Sequence, residues 1–394
     1  MSVNSGDTAW VLMATILVIL MLLPGLGLFY GGMVRKKNVL TLLMQTISTA
    51  ALVTVLWLCF GYSLAFTEGS GLTAGLIGGF SRSFLIGLTP SSISPMAPTI
   101  PETLFIMFQA SFAMITPMIL LGGPADRLKF SAAMIFVGVW TLLVYSPIVH
   151  MVWAPDGWLA GRGILDFAGG TVVHINAGVA GLVAALMVGK RRGLGSDAMA
   201  PHNLILTLLG AALLWVGWFG FNAGSAFTAN GSAAYAMLTT HLAASAGLIG
   251  WCAVEWIQRG KPSLLGAVSG AISGLVVITP ACGFVTVSSA LILGLVAGPI
   301  CYWGVSGLKR RFGYDDALDA FGIHGVGGIL GALLTGVFAV AAIGGAGHSG
   351  LLDGNYQQLW VQFQAVAVTI LWSGGASFVI LKGIDLTLGL GVPL

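Results

Sequence analysis

Eleven long apolar stretches, separated by short segments that hold almost all the charge, limit what this chain can become. A run of about 18 or more apolar residues is long enough to cross a bilayer as a helix. Such runs fall at roughly 8–33, 38–66, 100–123, 130–151, 165–189, 201–226, 234–258, 263–280, 285–306, 320–342 and 357–384, the eighth and ninth being divided at Pro280 and Gly283. Only 7% of the 394 residues are charged, where soluble domains carry about 25%. The expected fold is therefore an all-α polytopic membrane protein, because helices satisfy their own backbone polar groups in lipid. The 58 glycines fit this reading, since small residues let membrane helices approach closely. The first run exceeds the 7–15 or so residues of a signal-peptide core, so it is read as a retained first span.

Lysine and arginine set the orientation. Fourteen of them, from Arg35 to Lys382, fall in the loops on one side, and only Arg82 and Arg162 fall on the other. By the positive-inside rule the N-terminus lies outside and the C-terminus in the cytoplasm. The net charge of +3 follows from this sidedness and gives no sign of a nucleic-acid partner. Cys59, Cys252, Cys282 and Cys301 lie in or beside apolar runs without a CxxC pair, so neither a disulfide framework nor a metal site is expected. Within the spans no nucleophile or metal ligand is paired with a base, which argues against an enzyme and calls for no cofactor.

Two histidines break the apolar pattern in matching settings, His174 in GGTVVHINAG and His324 in FGIHGVGG. An ionisable group at membrane depth is costly and marks a pathway or a partner, and imidazole exchanges protons near neutral pH. His174 is on the fifth span, running inward, and His324 on the tenth, running outward. That is the pattern of an inverted 5+5 repeat followed by a final helix, with a site near the midplane. Residues 1–394 then form one domain, with repeats at about 8–189 and 201–342 and the eleventh helix at about 357–384. With Asp166 as the N-cap of the fifth span, eight residues place His174 roughly 12 Å into the bilayer; from Asp319, five residues place His324 about 8 Å in. Tilt or a recessed helix start is needed to bring the rings together. The bland alternative for each histidine is a core residue bonded to a backbone carbonyl.

Asp166–Gly181, DFAGGTVVHINAGVAG, closely resembles the ammonium transporter family, the Amt branch of the Amt/Mep/Rh superfamily. So do PGLGLFYGGMVRKKNVL at 24–40, FQASFAMITP at 108–117, HMVW at 150–153, GWFGFNAGSAFTAN at 217–230, GKPSLLGAVSGAISGLVVITPACG at 260–283 and DALDAFGIHGVGGILGALLTGVFA at 316–339. The resemblance covers nearly the whole chain in order. It implies a multi-pass protein of a prokaryotic inner (plasma) membrane, a homotrimer with one pore per subunit, serving nitrogen uptake. It further implies ammonium recruitment at an outer site of Phe112, Trp153 and Ser225. Phe112 and Phe221 match the stacked gate, His174 and His324 the paired pore histidines, and Asp166 a structural and electrostatic residue near the outer site. Phe108, Trp218 and Tyr145 match pore-adjacent positions, although core packing is as good a reading of Tyr145. The implied mechanism is capture of ammonium, deprotonation near the gate, and passage of ammonia past the histidines, with the proton returning or crossing separately.

The family's usual cytoplasmic tail of some tens of residues is here about ten residues after the last span. A PII-type signalling protein is thus an expected partner only through the cytoplasmic vestibule. The basic triplets at 35–37, 190–192 and 309–311 are read as topology determinants, and Asp316 and Asp319 as neutralising or capping groups at the inner end of the tenth span. Three rival readings stand beside it: an Rh-type gas channel, which usually has a twelfth helix and lacks the outer tryptophan; an ammonium sensor, which needs a signalling domain or partner; and a haem protein with histidine axial ligands.

Overall fold

Several apolar runs begin where a short polar side chain can take over the backbone donors that a helix start leaves free. Asn4 accepts from Asp7 N, Asn203 from Ile205 N and Leu206 N, Asn230 from Ser232 N, Ser263 from Gly266 N, and Thr286 from Ser289 N. The computed structural model describes residues 2–392. The resulting helices are α1 (Ser5–Met33), α2 (Lys36–Phe66), α3 (Glu102–Leu120), α4 (Phe130–Trp153), α5 (Gly170–Val188), α6 (Leu204–Gly224), α7 (Gly231–Arg259), α8 (Leu264–Ile278), α9 (Val287–Phe312), α10 (Phe321–Phe338) and α11 (Tyr356–Thr387). All except α8 are long and apolar enough to cross a membrane. Among the described residues no strand forms, only three isolated bridges.

The exception has a packing reason. With 15 residues, α8 spans about 22 Å at 1.5 Å per residue, short of a hydrocarbon core of about 30 Å. It is buried along nearly its whole length, held between α7, α9 and α6. The unwound Thr279–Val285 stretch that completes the crossing lies inside protein, where irregular backbone is tolerated. Backbones touch here: a Cβ on Gly247 of α7 would lie 2.5 Å from the Gly270 carbonyl of α8. The break at Pro280 and Gly283 is where the sequence places it.

The basic loops are bonded to one another. Arg35 pairs with Asp126 at 3.1 Å, and Lys129 Nζ donates to the Leu388 carbonyl at 2.8 Å. Asp315 is clamped by two arginines. Arg127 donates to its carboxylate and, at 2.6 Å, to its carbonyl; Arg191 donates through its backbone N and its guanidinium, both at 2.7 Å. This places the α1–α2, α3–α4, α5–α6 and α9–α10 connections and the end of α11 at one end of the bundle, the end that the positive-inside rule assigns to the cytoplasm. Burial pushes the Asp315 carboxyl up, but the hydrogen bonds and charges of Arg191 and Arg127 outweigh it and hold the group below the usual range. Because the folded value is depressed, the clamp is fully stabilising above the ordinary carboxylate value near 4 and is lost only as pH falls below it. Asp315→Asn leaves two buried guanidinium groups short of a counter-charge and should cost about 3–5 kcal/mol, read as a lower unfolding midpoint of the purified protein in detergent.

A brace crosses the other half of the molecule. On α11, Gln362 accepts from Leu165 N and donates to the Leu165 and Ala332 carbonyls at 2.8 and 2.9 Å, and Ser373 donates to Asn176 O at 2.8 Å. One helix is thereby bonded to both α5 and α10, which carry the histidines.

Candidate functional site

Two buried aspartates start the two histidine helices. Asp166 accepts from Gly169 N, Gly170 N, Thr171 N and Val172 N at 2.7–3.3 Å. Asp316 accepts from Ala320 N, Phe321 N and Gly322 N at 2.8–3.4 Å. Burial and the charge of Asp319 push the Asp316 carboxyl up to about 6, while Lys309 and the N–H groups of Phe321 and Gly322 pull the other way. The cap of α10 is thus Asp316 rather than Asp319, the residue from which the depth of His324 was reckoned. Asp319 turns its backbone into the left-handed region (φ 58°) and pairs with Lys309 at 2.7 Å. Corrected in this way, each aspartate stands eight residues before its histidine.

Both histidines lie in the first, π-helical turn of their helices, Gly170–Ile175 and Phe321–Gly325. Such turns concentrate at functional sites. The turns meet: the two Nδ1 atoms are 3.2 Å apart. The approach requires glycine, because a Cβ on Gly178 would sit 2.3 Å from Gly325 N. Both rings are buried.

A column of rings leads from the outer end to this pair. Trp153 meets Phe112 edge-on at 6.1 Å, Phe112 stacks on Phe221 at 4.1 Å and 21°, and Phe221 lies 6.0 Å from His174 at 23°. The indole of Trp153 is fixed by its Nε1 donation to Asp166 O at 2.9 Å. Ser225 donates its proton to Phe221 O at 2.8 Å, which leaves its oxygen able to accept an N–H from outside. Phe108 flanks Phe112 at 5.0 Å and touches Phe227, a residue at the mouth with positive φ that sequence reading passed over. Trp218 packs on His174 at 5.4 Å. Tyr145 is placed elsewhere, against Trp57 and Trp140.

Thr279, also missed, orders the protons of the pair. Its hydroxyl donates to Leu275 O at 2.7 Å and accepts from Trp218 Nε1 at 2.9 Å, and His174 Nε2 lies 3.4 Å from the same oxygen. A threonine hydroxyl has one proton and two acceptor positions. With the proton committed to Leu275, His174 Nε2 must be the donor. In a neutral ring His174 Nδ1 is then the acceptor, His324 Nδ1 carries a proton, and His324 Nε2 keeps its lone pair. This tautomer assignment comes from the hydrogen-bond network. His324 also borders an apolar cavity with Leu26, Phe29, Ile115 and Ile272, whose ≈ 10 Å³ gives room for about one water-sized molecule.

Aromatic faces of this kind can attract a small cation. A stacked ring pair can bar hydrated ions, and the His324 Nε2 below it is free to accept a proton. Among the described residues no group of three or more His, Cys, Asp or Glu is placed to hold a metal.

The profile described as "Ammonium Transporter Family" matches residues 9–393. An ammonium transporter of Bacillus subtilis is 50% identical over 385 residues, covering 98% of this chain and 93% of the relative. The crystal structure of Saccharomyces cerevisiae Mep2 superimposes with a TM-score of 0.92 at 34% identity, covering 99% of this chain and 88% of that one. A solved "Sensor Amt Protein" matches with a TM-score of 0.89 at 28% identity, covering 98% and 95%.

Proposed function

Since the chain belongs to the ammonium transporter family, a family of membrane transporters and not of enzymes, we propose how its residues move the substrate. Ammonium settles against Trp153 and Phe112, with one N–H donated to Ser225. It gives up its proton at or beneath the Phe112–Phe221 stack, and ammonia continues past His174 and His324. The proton crosses separately along the imidazole pair, entering at one ring and leaving from the other. The observation that carries this reading is the unbroken sequence of contacts from Trp153 through Phe112 and Phe221 to His174 and His324.

The same reading takes α1–α5 and α6–α10 as inverted repeats, with the N-terminus outside, in the inner membrane of a prokaryote. Subunits assemble as homotrimers, each with its own pore, and a PII-type partner would meet the basic end. Native mass spectrometry of the purified protein checks the trimer.

Trp153→Leu removes one cation–π face worth about 0.5–2 kcal/mol. The apparent affinity for ammonium should weaken by about 2- to 30-fold with the oligomer still folded. Unchanged saturation kinetics in proteoliposomes would remove the aromatic site from the mechanism. The likeness to a sensor protein supports a second reading, in which binding is coupled to signalling through a separate partner. Saturable ammonium binding without flux would favour it.

A further inference from the structure

At the basic end, three connections converge on a pocket of ≈ 380 Å³. Its wall holds six cations, Arg35 and Lys37 from α1–α2, Arg127 from α3–α4, and Lys190, Arg191 and Arg192 from α5–α6. Membrane sidedness accounts for basic loops on this face but not for their meeting around one concavity. The carboxylates in reach are already engaged. Asp126 holds Arg35, and Asp315 holds Arg127 and Arg191. Lys37, Lys190 and Arg192 have no ion-pair partner among the described residues.

Three polar atoms in the same wall lack hydrogen-bond partners. Two are donors, Arg127 Nε, on a side chain only 7% exposed, and Asn38 Nδ2; the third is an acceptor, Asp126 Oδ1, on a side chain 1% exposed. Buried polar atoms left this way are rare in folded proteins and point to a missing partner. The donors and the surplus of cations call for an anion, and guanidinium groups match the oxygens of phosphate. The bare carboxylate oxygen calls for a hydrogen-bond donor on the same ligand. Phosphate monoanions and glycerol phosphates carry both features, whereas sulfate at neutral pH has no hydroxyl.

We propose that this pocket binds a hydroxyl-bearing phosphate group, presented either by an anionic lipid headgroup or by a soluble phosphate. Basic pockets between membrane helices on the cytoplasmic side suit such headgroups. The occupant would also touch Gly391 and Val392, which line the pocket. Because Val392 N donates to the Arg127 carbonyl at 2.9 Å, the ligand would link the end of the chain to three cytoplasmic loops.

The test uses the full chain in a non-ionic detergent, with thermal unfolding followed against inorganic phosphate, glycerol phosphate and sulfate, and then against a short-chain phosphatidylglycerol. Saturable stabilisation by the phosphate probes, at least about tenfold weaker with sulfate, is expected for a soluble ligand. Saturation by the lipid at concentrations where glycerol phosphate has no effect assigns the site to a headgroup. In either case Lys37→Gln/Lys190→Gln/Arg192→Gln, which leaves the Asp315 clamp in place, should weaken binding at least about tenfold, and Asp126→Asn should reduce the preference over sulfate. No saturable effect from any probe, or a triple variant that binds them all like the parent, overturns the proposal.

Discussion

Replacing His174 or His324 by alanine is expected to lower the current that an ammonium pulse drives across proteoliposomes by at least about tenfold, as removal of a positioned proton acceptor does elsewhere. The two Nδ1 atoms are 3.2 Å apart, so a proton can pass directly from one ring to the other. Either truncation opens a gap that only water could bridge. Water in the column weakens the dry barrier that keeps hydrated cations out, so a potassium current should appear where the parent has none. Uncharged ammonia has no need of the relay, so in the variants it should cross without its proton and an internal alkalinisation should appear as the current falls. Single and double variants that kept the parent's current and its discrimination against potassium would reduce the histidines to packing. A parent that alkalinises the lumen with no current at all would show that only neutral ammonia passes.

Asp166→Ala should be the most damaging change outside the column. It removes the acceptor of four N–H groups at the head of α5. An unsatisfied buried donor costs about 1–3 kcal/mol, so the expected loss is about 3 kcal/mol or more, seen as a fall in the unfolding midpoint. Asp166→Asn keeps one acceptor oxygen and should cost less. Asp316→Ala, which frees three N–H groups, should behave in the same way at the other histidine. The turn carrying His174 begins at these N–H groups, and Trp153 leans on the Asp166 carbonyl, so transport per folded molecule should fall together with stability. A variant that melts lower yet transports normally would separate the cap from the pore.

The eleven spans and their break at Pro280 and Gly283 were legible because lipid demands length and apolarity, both of which are written in composition. The histidines were legible because an ionisable group in such a setting has no neutral explanation twice over. Depth was not. Reckoned from Asp166 and Asp319 through a core of about 30 Å, the rings fall about 10 Å short of one another, yet they touch. Both helices start recessed, and their caps are buried with them. Nothing in local sequence told Asp316 from Asp319, since the choice depends on Lys309 reaching Asp319 from α9. Thr279 and Gln362 look like ordinary polar residues of membrane helices. Their roles exist only in contacts with Trp218 and His174, or with Leu165 and Ala332, which periodicity does not encode. For Tyr145 the sequence left pore-side and core readings equal, and its ring packs on Trp57 and Trp140.

Transporters made of inverted repeats commonly work by alternating access, one half rocking against the other about a central site. In the repeat proposed here, the centre is where α5 and α10 are joined. The imidazoles share a hydrogen bond, Gly178 and Gly325 pack backbone to backbone, and Gln362 of α11 holds Leu165 and Ala332 at once. Rocking would have to part all three. On the proposed repeat these contacts predict a stationary path, whose turnover should not depend on the microsecond-to-millisecond domain motions that pace a rocking carrier.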